Sequence, residues 1–202
     1  KNFAVLMHNI VKPYISEAKT VTELGEGSVM INAPGVTLKD ITIQGDLILG
    51  DGVGDGNVTL DNVKVEGTAI VRGGGMNSII IKGGSSIGKN IVAKVDGSVR
   101  IHAESGANVE VIIVNDGKDD VVVEGNIAKL VIEAAEVPVT VQNARIGEIT
   151  VTADKANVKI DKGSSVTNMM VTGAAPSLMV AGKVDTLSAS EGAEGAKIEV
   201  AM

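Results

Sequence analysis

Short runs of the form apolar–x–apolar recur along the whole chain. One series reads VTL 36–38, VTL 58–60, III 79–81, VRI 99–101, VVV 121–123, VTV 139–141, VKI 158–160, LMV 178–180 and IEV 198–200. Its closing residues, from Leu38 through Leu60, Ile81, Ile101, Val123, Val141, Ile160 and Val180 to Val200, are spaced by 22, 21, 20, 22, 18, 19, 20 and 20 residues. A second series passes through ITI 41–43, VKV 63–65, Ile87, Val109, Ile127, Ile146, Val166 and Val184. A third passes through LIL 47–49, AIV 69–71, IVA 91–93, IIV 112–114, LVI 130–132, ITV 149–151, MMV 169–171 and LSA 187–189. Each period of about 20 residues therefore holds three short strands, separated by turns rich in Gly, Asn, Asp and Lys. Such strands are too short to be stable alone. Stacked coil upon coil, each pairs with its counterpart one repeat later, and the inward side chains form ladders. The pattern predicts an all-β chain: a single-stranded parallel β-helix of about nine coils. The period is longer and more variable than the 18 residues of hexapeptide left-handed forms, which favours the right-handed form. The fixed Leu/Asn pattern of leucine-rich repeats is missing.

The two ends read differently from the middle. Phe3, Leu6, Met7, Ile10, Val11 and Tyr14 recur at helical spacing, so residues 2–12 are expected to form an amphipathic helix, stopped by Pro13. Residues 1–20 then form a cap over the first coil, and 28–202 the β-helix. KIEVAM at the C-terminus keeps the strand pattern with no capping helix after it, so that edge is expected to meet another domain or a further coil. The opening at Lys1, with no signal peptide, reads as a piece of a longer protein with any export signal upstream.

Composition supports the all-β reading. With no Trp and one each of Phe and Tyr, the core must be built from Val, Ile, Leu, Met and Ala. Branched aliphatics suit a pleated surface. A net charge of -7 disfavours nucleic acid, whose phosphates need clustered Lys and Arg. Absence of Cys excludes a disulfide framework, and no apolar run is long enough to span a membrane.

Two stretches carry a family resemblance. NFAVLMHNIV (2–11) resembles the final helix of an S-layer homology domain, through Phe3, Ala4, Val5 and Leu6. GDLILGDGVGDGNVTLDNVKVEGTAIVRGGGMNSIIIKGG (45–84) is similar to the β-helical regions that follow such domains in surface proteins of Gram-positive bacteria. The resemblance implies an exported protein at the cell wall, anchored by parts upstream of Lys1. That family has no agreed catalytic residues, so none is carried over.

Candidate chemistry is sparse. His8 and His102 share no motif, and no nucleophile with a paired base is visible. Asp119–Asp120 and Asp51 with Asp55 are paired carboxylates, but they lie in short turns with no long loop to wall a cleft, where solvated turn charges are the simpler reading. Asp51, Asp55, Asn57 and Asp61, around the GDGVGDGN turn, supply the hard oxygen donors that calcium takes, though at neither EF-hand nor nonapeptide spacing. The same glycines lack the Lys and following helix of a phosphate cradle. Arg72, Lys82, Lys89, Lys94 and Arg100 fall within successive coils and are candidates for meeting an anionic wall polymer, against the simpler reading of scattered surface turns. The expectation is a non-catalytic structural body at an extracellular bacterial surface: a rigid spacer, lattice component or adhesive surface. Its partners would be a wall polymer or other polysaccharide, or neighbouring subunits. The principal alternative is a polysaccharide-binding module; a polysaccharide lyase or hydrolase comes third. No cofactor is expected apart from the calcium candidate.

Overall fold

A computed structural model describes residues 13–93 and 96–201. The helix expected over 2–12 lies outside the described residues. Within them, seventeen strands form one continuous, parallel-paired sheet wound as a β-helix, and the only helical element is a single 3-10 turn at Asp51–Val53. The sheet starts at Tyr14–Ile15, which pairs with Val29–Ile31, and Thr20–Val21, which pairs with Val36–Ile43. The coil stack thus reaches upstream of residue 28.

Each coil presents three faces. The first face carries the rungs Leu38, Leu60 and Ile81, and further along Val123, Val141, Ile160, Val180 and Val200. The second runs from Ile43 through Val65, Ile87, Val109, Ile127, Ile146 and Val166 to Val184, rung by rung as the spacing predicts. The third holds Leu47, Ala69, Asn90, Ile112, Leu130, Ile149, Met169 and Leu187. Inward residues are almost all buried aliphatics and form one core cluster from Ile15 to Ala193.

Two register details differ from the sequence expectation. Ile81 pairs with Ala103, not Ile101, which instead meets Val123. Moving a strand by two residues keeps every side chain on the same face, so periodicity alone cannot distinguish the two registers. Both Ile79 and Ile101 remain buried. In the third series AIV 69–71 pairs with NIV 90–92 rather than IVA 91–93, because a bulge between Val65 and Thr68 removes one residue from the next coil. A polar residue, Asn90, consequently enters the inward ladder and Ile91 turns outward.

The corners explain how so short a repeat turns. Between the first and second faces stands a residue with positive φ: Asp40, Asn62, Gly125 and Asn143 among them. Asn and Asp tolerate this region because their short polar side chains bond locally, and Gly has no Cβ to clash. Two of these corners are sealed from the next coil. The backbone N–H of Val63 donates to the Ser85 hydroxyl at 2.9 Å, and that of Ala144 to the Ser164 hydroxyl at 3.1 Å. Each hydroxyl in turn donates to a backbone carbonyl, Leu60 or Lys82 for Ser85 and Val141 for Ser164. Both serines are buried without leaving unpaired hydroxyls.

In the last described coil Leu187, Ile198 and Val200 are 39%, 48% and 70% exposed, as rungs paired on one side are. Among the described residues no helix is long and apolar enough to cross a membrane.

Candidate functional site

The corner between the third and first faces is where connections lengthen. Residues 50–57 join Leu47–Leu49 to Val58–Val71, and residues 72–79 make the same turn one coil later. In the first of these, the 3-10 turn Asp51–Val53 tucks Val53 into the core and leaves Asp51 and Asp55 outside. The next corners must pass close beneath it: a Cβ on Gly73 would meet the Gly50 carbonyl oxygen, and one on Gly75 the Asp55 carbonyl oxygen. Glycine at 73 and 75 is thus dictated by close backbone approach.

These stacked corners enclose an open cleft of about 490 Å³, lined by Asp51, Gly54, Asp55, Arg72, Gly73, Asp96 and Gly97. Arg72 donates from Nε to Asp51 Oδ1 at 3.1 Å, fixing the guanidinium against the wall of the cleft. Three carboxylates and one guanidinium around a polar, backbone-rich floor can accept and donate hydrogen bonds to a polyhydroxylated ligand.

Of the calcium candidates, Asp51 and Asp55 share this cleft, while Asn57 and Asp61 do not line it. Asn57 contributes its backbone carbonyl to Gly35 N–H at 2.7 Å. Asp61 sits on the outer first face, on the rung between Lys39 and Lys82. The four therefore do not converge as one donor set. Among the described residues no three His, Cys, Asp or Glu side chains are grouped as metal ligands.

The basic candidates are dispersed. Arg72 lines the cleft, Lys82 lies on the first face beside Asp61, and Lys89 lies on the third face between the rungs of Thr68 and Val111. Lys94 lies outside the described residues. Arg100 belongs to a second polar group, which the sequence did not suggest. Its NH1 bonds Glu124 at 3.0 Å, its NH2 lies 3.4 Å from His102 Nδ1, and Gln142 Nε2 approaches the same carboxylate at 3.5 Å. His102 and Glu124 are rung partners on the outer first face. Their separation of 22 residues is one coil, so the repeat period was the signal that could have revealed the pair. The Arg100 and Glu124 charges compensate one another, while the buried Arg100 Nε has no hydrogen-bond partner among the described residues.

Compared with models of protein families, with curated proteins and with solved structures, the chain matches none.

Proposed function

We propose that this chain is the rigid, non-catalytic β-helical body of a bacterial cell-surface protein, of the kind that follows S-layer homology domains, serving as spacer, lattice component or adhesive surface. The observation that carries this reading is the continuous, almost wholly aliphatic core from Ile15 to Ala193, combined with connections that never exceed eight residues among the described strands. A solenoid of this kind gains stiffness from neighbour-to-neighbour stacking. Enzymes wall their reacting groups away from water, whereas here the polar groups lie on open corners and outer faces. Antibody labelling of intact producing cells tests the reading: labelling without lysis is expected, and labelling that appears only after lysis would overturn it.

The cleft at Asp51, Arg72 and Asp96 favours a second reading, a polysaccharide-binding module with this corner as a subsite. Retention of the chain on insoluble wall polymers or plant glycans is its measurement. Binding weakened by Arg72→Ala supports it, and no retention at low or moderate salt sinks it.

A further inference from the structure

The outward positions of the first and third faces differ in chemistry. On the first face they are mixed: Thr37, Thr59 and Ile80 in the early coils, and Val122, Thr140, Lys159 and Met179 further along. On the third they hold an unbroken apolar column through six successive coils: Met30, Ile48, Ile70, Ile91, Ile113 and Val131. Strands apolar on both sides belong between two packed layers, because one side would otherwise leave hydrocarbon in water. At its start the column meets that condition. Met30 and Ile48 are 0% and 5% exposed and form a separate cluster, outside the main core, packed by Tyr14 and Ile70. From Ile70 to Val131 the same column is partly exposed.

Charge around the partly exposed part is self-complementary. Lys129 stands two residues before Val131 on its strand, and Glu133 stands two residues after it, in the corner just past the strand end at Ile132. A two-fold axis parallel to the solenoid and passing Val131 sets each Lys129 opposite Glu133 of a second copy, with the isoleucines of both columns between. The present partners of these side chains leave them available. Lys129 bonds Glu148 at 3.2 Å with both about half exposed, and Glu133 accepts from Asn115 at 3.0 Å on the surface. The flanks of the column also include Lys89, and Arg72 paired with Asp51.

We infer that the column Ile70–Ile91–Ile113–Val131 is a lateral contact between two copies of this chain, lying side by side with parallel axes and clasped by Lys129–Glu133 pairs. Four rungs about 4.8 Å apart make a strip some 15 Å long, short of the roughly 800 Å² per partner of a stable complex. The pairing is therefore weak and reversible. It does not depend on the cell-surface reading, which labelling of cells tests separately.

Sedimentation velocity of the whole chain over a wide concentration range is the test. A concentration-dependent monomer–dimer equilibrium is expected. Ile113→Lys should leave only monomer, whereas Thr140→Lys, on the first face, should not alter the equilibrium. Lys129→Glu, an exposed change that does not threaten folding, should raise the dissociation constant at least about tenfold, and Lys129→Glu with Glu133→Lys should bring it back. A chain that stays monomeric throughout overturns the proposal. So does a dimer indifferent to both Ile113→Lys and Lys129→Glu, which would place the contact elsewhere, for example at the exposed last coil.

Discussion

Asn90 shows how one residue can oppose the coil that holds it. It occupies an inward rung between Ala69 and Ile112, is 2% exposed, and its side-chain Nδ2 finds no hydrogen-bond partner. An unpaired buried amide costs about 1–3 kcal/mol. Asn90→Leu, nearly the same shape without the polar atoms, should therefore stabilise the protein by about 1–2 kcal/mol, read as a higher midpoint in denaturant. An unchanged or lower midpoint would show that the amide is satisfied in solution. Gly125 is the opposite case. Its φ is +99°, and a Cβ there would collide with the Ala103 carbonyl oxygen in the coil below. Gly125→Ala combines a disfavoured backbone with a backbone clash, so a loss of at least about 2 kcal/mol is expected in the same measurement.

At the scale of the strand and its rung, stability comes from neighbours one coil away. Ile101 is fully buried, with Val123 as its rung partner. Ile101→Asp would place an unpaired carboxylate among stacked aliphatics, a mechanism that exceeds about 4 kcal/mol. The middle coils should lose protection in hydrogen exchange; unaltered melting would refute this ladder assignment. Outer rungs behave differently. Hydrogen bonds from Lys129 and then Thr150, with the Lys129 charge adding to them, hold the Glu148 carboxyl below its ordinary range. A pKa lowered by folding supplies stability above that range and loses it as pH falls through the folded value. The pair is solvent-exposed, so its effect is small. Glu148→Gln should lower the melting temperature slightly at neutral pH, and the difference should shrink as the pH falls through the lowered folded value, vanishing once the carboxyl is protonated in both states. An equal drop at every pH would mean packing, not charge, is responsible.

For the whole molecule, the repeat makes length adjustable in one unit only. Val141 and Ile160 are rung partners. Deleting residues 142–160 lets Val141 stand where Ile160 stood and run directly into Asp161, with the coils below and above restacking. This shortened chain should keep its far-ultraviolet spectrum and a cooperative melt, while a ten-residue deletion from the same coil should not. If both deletions melt alike, the rungs do not govern the fold. The same logic separates what was legible in the sequence from what was not. The second-face series from Ile43 to Val184 matches its rungs throughout, because from Ile87 onward a single large aliphatic per coil stands at this inward position and leaves no competing alignment. Ile81 was misaligned by two residues, since a two-residue slip keeps every side chain on its own face, and Asn90 by one, since an apolar triplet beside it masked a bulge. GDGVGDGN is recognisable as a turn from its glycines, but the chain order does not bring Arg72 and Asp96 to its side; two further coils do. Likewise, the Arg100–His102–Glu124 group and the outer isoleucine column exist only when rungs are in register. The sequence by itself determined the parallel coil, its period and its aliphatic interior, because periodicity two and a repeat of twenty leave little else that buries those side chains. Tertiary structure alone decided which polar groups meet, because each meeting joins residues about twenty positions apart, and a shift of one or two residues at a bulge changes the partner.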